Sequence, residues 1–257
     1  MGQHGTLTVA EAVRSSCNVA LIQIAQRLGE DRLKKWFRRF GLFEASGLWD
    51  PEREARGFVY PDLLTPRGPR WSATKVATVA YGQGIQVTML GLLRAYCALV
   101  NGGRLPQLHV WQSTLSEEGE RVHRFTALPQ SSLLSPSTSR QIVEMLLLAV
   151  EDPQGTGRRA RSPLYTIAGK TGTALHYRSW KRTVSFAGMA PYPRPRLLAL
   201  ATVSGARLPR PTGGLLCAPI VREMLERALI YLGVPPDREF SEEEEGQVQI
   251  SWWEGRG

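Results

Sequence analysis

Little in this 257-residue chain can bind a metal or form a disulfide framework. Its three cysteines, Cys17, Cys97 and Cys217, are odd in number, far apart and without a C-x-x-C pair, which argues against a thiolate zinc site or paired bridges. The four histidines, His4, His109, His123 and His176, are isolated and read as surface or loop residues, so neither a metal nor any other cofactor is expected. Long apolar runs are missing too. Leu197–Val203 is seven residues long, against the ~20 that a membrane-spanning helix requires. Met1–Gly5 has no basic stretch followed by an apolar core, so it is no signal peptide. Lysine is scarce: five Lys accompany 27 Arg in a net charge of +9. The basic residues are scattered, and the densest run, Arg158-Arg159-Ala160-Arg161, carries no interleaved aromatics. No nucleic-acid partner is therefore expected.

What is present is globular. Hydrophobic residues make up 42% and charged residues 21%, enough for a sizeable core and too few charges for wholesale disorder. Thr8 to Leu28 reads as a helix with an irregular patch near Ser15–Asn18. Thr8 and Glu11 form a capping-box pair at its start, and Gly29 stops it. Further helices are predicted over 31–40, 88–101, 137–150 and 218–232. Residues 42–70 read as loop-rich. Strands are predicted near 107–112 and 121–125, and then over 165–174, 183–189 and 197–203. Helices first, with an antiparallel β-block and a closing helix last, predict an α/β domain of the α+β kind, an antiparallel sheet flanked by helices. Residues 1–235 form the expected domain. Residues 236–257, acidic at Glu242–Glu245 and ending near Trp252-Trp253, are expected to be a mobile tail.

Two short motifs carry chemistry. Ser16-Cys17-Asn18 is an S-x-N triplet at the irregular patch, read as a helix-turn-helix junction, and Lys170-Thr171-Gly172-Thr173 is a K-T-G-T on a predicted strand. Each alone is weak. Their surroundings are specific: Leu7-Thr8-Val9-Ala10-Glu11-Ala12, Arg70-Trp71-Ser72, Tyr81-Gly82-Gln83-Gly84-Ile85-Gln86-Val87-Thr88, Asn101-Gly102-Gly103, Ser185-Phe186-Ala187-Gly188-Met189-Ala190-Pro191, and Gly213-Gly214 with Ala218-Pro219. With these in order over roughly residues 5 to 233, the chain resembles the transpeptidase domain of class B penicillin-binding proteins, in particular the FtsI-type septal enzyme.

The resemblance implies the penicillin-binding protein transpeptidase and serine β-lactamase-like fold. It also implies acyl transfer: a serine attacks the D-Ala-D-Ala bond of a peptidoglycan stem peptide, and an amine from a neighbouring stem resolves the acyl-enzyme into a cross-link. Stem peptides and β-lactams are the implied ligands. Divisome membrane proteins such as a lipid II glycosyltransferase are the implied partners, at the periplasmic face of a bacterial inner membrane. Ser16 is implied as a proton relay, Asn18 as a binder of the substrate backbone, and Lys170 as the charge that tunes the relay. Thr171 and Thr173 are implied to hold the terminal carboxylate, Gly172 to let the strand approach the substrate, and the Thr173 N–H to be half of an oxyanion hole.

One departure is large. The family's S-x-x-K, which bears the nucleophile, precedes S-x-N, and none of the 15 residues before Ser16 supplies it. The literal match Ser72-Ala73-Thr74-Lys75 falls after S-x-N, and there Ser72 reads as a helix cap and Lys75 as a helix-surface residue. The chain is therefore expected to be the C-terminal part of a longer protein, N-terminally incomplete, without its anchor and the first strands of its sheet, and inactive on its own. Two other readings stand beside this one: a non-catalytic scaffolding module, which the missing motif favours, and a D,D-carboxypeptidase or β-lactamase-like hydrolase, for which 42–70 offers no deacylating carboxylate motif.

Overall fold

The computed structural model describes residues 5–48, 50, 52–59, 71–126, 132–176, 181–206 and 208–238. In chain order the helices are α1 (Val9–Ser15), α2 (Asn18–Leu28), α3 (Glu30–Arg39), α4 (Ala73–Ala80), α5 (Met89–Val100), α6 (Pro136–Glu151) and α7 (Gly213–Tyr231). The strands are β1 (Phe58–Val59), β2 (Ile85–Gln86), β3 (Ser113–Leu115), β4 (Arg121–Arg124), β5 (Ala168–His176), β6 (Lys181–Ala190) and β7 (Leu197–Ser204). These elements form two compact units. Residues 1–16 and 143–257 make up one, and residues 17–142 the other.

The first unit is built on an antiparallel sheet in the order β5-β6-β7. Its register pairs Lys170 with Ala187, Thr171 with Phe186 and Gly172 with Ser185. Because side chains alternate across a strand, Thr171 and Lys170 lie on opposite faces of β5. Along α7, Ala218, Val221, Leu225 and Leu229 recur at helical spacing and are fully buried. They form one core with Tyr165, Ile167, Val184 and Phe186. Fully burying each large apolar side chain there contributes ~1.5–3 kcal/mol. The helix begins at Gly213, earlier than the apolar pattern from Ala218 predicts. The reason is steric: a Cβ at Gly213 would lie 1.9 Å from the Ser185 carbonyl oxygen, so only glycine lets the first turn reach the sheet backbone.

The residues that follow α7 are tied back to this core as far as they are described. The Tyr165 hydroxyl donates to the Val234 carbonyl at 2.6 Å, the Thr166 N–H donates to Asp237 Oδ1 at 2.7 Å, and Arg238 pairs with Glu151. The expected mobile tail thus has its first residues, Asp237 and Arg238, held by polar contacts. The rest of it, 239–257, lies outside the described residues.

In the second unit α2 and α4 share a core of Ala25, Val59, Trp71, Val76 and Val79. Thr88 caps α5 by accepting from the Gly91 N–H at 3.0 Å. Two readings of this stretch need correction. The strand expected at 107–112 is instead β3, at Ser113–Leu115, because the turn at Ser116–Gly119 fixes which residues can face Arg121–Arg124. The loop-rich 42–70 contains β1, which pairs with β2 in a two-residue ladder too short to leave a periodic signal. Ser72 does cap a helix: its Oγ accepts the Lys75 N–H at 3.2 Å, and the Lys75 ammonium lies 5.9 Å from the Trp71 ring centroid.

Candidate active site

The helical stretch expected over Thr8–Leu28 is two helices, divided at its irregular patch. Its first part is well started. The Thr8 N–H donates to Glu11 Oε2 at 2.7 Å, and the Glu11 N–H donates to Thr8 Oγ1 at 3.3 Å. Its end is weak by composition, because consecutive Ser and Cys residues have modest helix propensity and serine hydroxyls compete for backbone groups. Ser15 Oγ donates to the Glu11 carbonyl at 2.7 Å, a local bond of the kind that bends helices. Ser16 then leaves the helix with φ 53° and ψ 46°, its N–H turned back to the Ala12 and Val13 carbonyls. Among the described residues it is the only non-glycine at positive φ. A left-handed serine costs roughly 1–2 kcal/mol, and such strain tends to sit at functional sites.

The break delivers the Ser16 hydroxyl to β5. Lys170 Nζ donates a hydrogen bond to Ser16 Oγ, across 154 residues of sequence, and makes longer contacts to the Thr171 carbonyl at 3.3 Å and Thr171 Oγ1 at 3.4 Å. No carboxylate pairs with Lys170 among the described residues. Burial therefore acts on it without compensation and pushes the ammonium pKa down to about 8 from 10.5. A lysine in that state can both give and take a proton near neutral pH.

A second polar chain runs beside the first. Thr171 Oγ1 donates to Thr156 Oγ1 at 2.9 Å, and Thr156 Oγ1 donates to the Arg14 carbonyl at 3.5 Å. The Arg14 guanidinium is held by Asp152 Oδ2 at 2.9 Å and by Gln154 Oε1 at 3.0 Å. The backbone N–H of Gln154 and the Arg14 guanidinium together hold the Asp152 carboxyl below the usual carboxylate range. The segment 152–156 thus fastens the last turn of α1 to β5. Arg14, Asp152 and Thr156 were not singled out from the sequence. The small-residue run Gly155-Thr156-Gly157 is the one signal that could have marked them.

The expected site residues fall into place unevenly. Ser16, Lys170 and Thr171 meet. Thr173 lies on the same strand and is exposed. Thr171 has committed its single hydroxyl proton to Thr156. Gly172 has a packing reason of its own: a Cβ there would lie 2.5 Å from Ser185 Oγ on the paired strand. Asn18 is the exposed first residue of α2, in the other unit. Among the described residues no cluster of His, Cys, Asp or Glu could hold a metal ion.

Known proteins resemble this chain in sequence and in fold. The family described as the penicillin binding protein transpeptidase domain matches residues 2–226. The chain is 33% identical over 241 residues to stage V sporulation protein D of Bacillus subtilis, covering 91% of this chain and 36% of that protein. It is 26% identical to the probable peptidoglycan D,D-transpeptidase PenA of Neisseria gonorrhoeae, with 91% and 38% covered. Among solved structures, the transpeptidase domain of Burkholderia pseudomallei penicillin-binding protein 3 superposes with a TM-score of 0.76 at 29% identity, covering 91% of this chain and 67% of that one. Penicillin-binding protein 3 of Mycobacterium tuberculosis, in complex with aztreonam, gives a TM-score of 0.76 at 27% identity, with 91% and 54% covered. The chain spans a little over a third of the length of these curated relatives.

Proposed function

Because this chain belongs to the penicillin binding protein transpeptidase domain family, we propose that it is the substrate-gripping part of a serine-type peptidoglycan D,D-transpeptidase of septal cell-wall synthesis. The observation that carries this reading is the hydrogen bond from Lys170 Nζ to Ser16 Oγ, which links the first residue of S-x-N to the first residue of K-T-G-T.

The chemistry follows from the side chains. The leaving amine of D-Ala-D-Ala cleavage needs a proton, and the attacking serine must lose one. Ser16 and Lys170 form a chain along which that proton travels, with burial lowering the Lys170 ammonium pKa to about 8. Asn18, two residues after Ser16, offers an amide donor and acceptor to the stem-peptide backbone. Thr173 and, on turning from Thr156, Thr171 hold the terminal carboxylate, and Gly172 leaves the strand low beside it. The Thr173 N–H serves a developing oxyanion, a role worth ~3–4 kcal/mol per donor. β5 lies at the edge of the described sheet, which supports this, since an edge strand has N–H groups that face away from its partner.

On this reading the nucleophile belongs to an S-x-x-K that precedes S-x-N, and none of the 15 residues before Ser16 supplies one. The 257 residues alone are then expected to cross-link no stem peptides, and a protein that adds that segment to do so at the periplasmic face of the inner membrane beside a lipid II glycosyltransferase. Among the described residues no helix is long and apolar enough to cross a membrane. Labelling with a fluorescent penicillin tests the reading. A longer protein with the upstream reading frame is expected to give a denaturation-resistant band that Lys170→Ala weakens, and the 257-residue chain to give none. An unlabelled longer protein would leave the scaffolding module as the better reading. Rapid turnover of the adduct would favour the hydrolase.

A further inference from the structure

We propose that Ser16 and Lys170 also form a serine–lysine dyad in their own right, with Ser16 as a nucleophile toward small activated carboxylic esters. The inference rests on the same hydrogen-bonded pair as the relay, but it gives Ser16 a covalent role and needs no second serine.

Three independent features of the site favour it. The first is the backbone. Ser16 occupies a sharp left-handed turn between two helices, the only non-glycine residue at positive φ among those described. A nucleophile on such a strained turn is presented clear of its own helix. The second is the base. Lys170 Nζ points at Ser16 Oγ, with the carbonyl and hydroxyl of Thr171 as its further partners among the described residues. Its burial without a carboxylate leaves a usable fraction as free amine at neutral pH. The third is access. Ser16 is half-buried rather than enclosed, so a small activated ester can reach its hydroxyl.

In the step proposed, the neutral Lys170 amine accepts the Ser16 hydroxyl proton as Oγ forms a bond to the ester carbonyl carbon. The tetrahedral intermediate then collapses, and the bond from that carbon to the alcohol oxygen breaks. A phenol leaves as phenolate, and the ammonium returns its proton to solvent. Water then cleaves acetyl-Ser16 with Lys170 again as base, which returns the serine and releases the acid.

The probe is p-nitrophenyl acetate, applied to the full 257-residue chain. The expected result is a burst of p-nitrophenolate and an acetyl group on Ser16, found by mass spectrometry in the tryptic peptide that begins at Ser15. Cys17 lies in that peptide, so Cys17→Ser provides a second background, and its burst is expected to persist. The burst rate is expected to rise with pH about a midpoint near 8. It should fall on the order of 100-fold in Ser16→Ala and in Lys170→Met, the size of a lost general base. Lys170→Arg, which keeps the charge but cannot give up its proton, should lose it equally, whereas Ser72→Ala should keep it. An acetyl group on Cys17, Lys170 or Ser72 in place of Ser16, a burst that survives Ser16→Ala, or no burst at all would overturn the dyad. None of those outcomes touches penicillin labelling of the longer protein, so failure here and failure of the transpeptidase reading are separately visible.

Discussion

Thr171 donates its hydroxyl proton to Thr156 at 2.9 Å, and so ties the K-T-G-T strand to the segment that also holds the carbonyl of Arg14. Ser16 lies two residues beyond Arg14. Its position against Lys170 is therefore inherited from a threonine outside both motifs.

Thr156→Val removes both bonds of that threonine while keeping its shape. The expected loss is about 1–2 kcal/mol of stability, the scale of one or two part-buried hydrogen bonds. As the end of α1 loosens and water reaches Lys170, its midpoint is expected to move from about 8 back toward 10.5. Lysine-selective NMR titration measures this, and Thr156→Ser should restore the wild-type midpoint. An unmoved midpoint in the valine variant would remove Thr156 from any part in placing the pair.

Lys170 also predicts an alkaline rise in stability. Its folded midpoint, about 8, lies below the unfolded one, 10.5. Between those values the unfolded chain binds more protons, so stability increases with pH across that window. Below pH 8 the buried ammonium is charged in both states and its cost is constant. The rise approaches about 3 kcal/mol at most, at 1.36 kcal/mol per unit. Denaturant titrations at pH 7.5 and 10.5 should show it in the wild type and not in Lys170→Met.

Asp152 predicts the opposite limb. Its carboxyl is held low by the Gln154 N–H and by Arg14, so it contributes stability above the ordinary carboxylate value that is lost as pH falls through the lowered folded value. Asp152→Asn should flatten that acid limb in thermal melts run between pH 5 and 2.5. Equal acid sensitivity in both proteins would show that the Arg14 clamp is energetically silent.

Gly213→Ala is expected to destabilise the first unit by about 3 kcal/mol, at the upper end for overpacking. Its Cβ would collide with two backbone carbonyls, Ser185 O at 1.9 Å and Gly172 O at 2.9 Å, and neither can rotate away. Gly172→Ala should cost less, because the atom it meets, Ser185 Oγ at 2.5 Å, lies on a side chain that can turn. Paired melting curves give the order, and a milder Gly213→Ala would refute the close approach of α7 to the sheet.

β7 is the last strand of the described sheet and pairs only with β6 among the described residues. Leu198 and Leu200 lie on its face opposite the α7 core and are half-exposed. An apolar edge of this kind templates association. Light scattering of the 257-residue chain should show self-association that Leu200→Lys suppresses, and a chain that stays monomeric without that change would count against it.

The sequence by itself determined most of the element types and the family. Helices α3, α5 and α6 and strands β5 to β7 follow from local periodicity and caps, signals that survive without tertiary context. The S-x-N and K-T-G-T motifs, read with their flanks, pointed to one family. Only the tertiary structure decided the rest, because each remaining feature depends on a partner distant in the chain. Thr8–Leu28 has a nearly continuous apolar stripe, and its break at Ser16 is held by contacts from residues about 140 to 150 positions away. The early start of α7 depends on two carbonyls of the sheet, and β1 exists only through its pairing with β2. The lowered midpoint of Lys170 requires burial without a carboxylate, and no local pattern around a lysine records what surrounds it once the chain has folded.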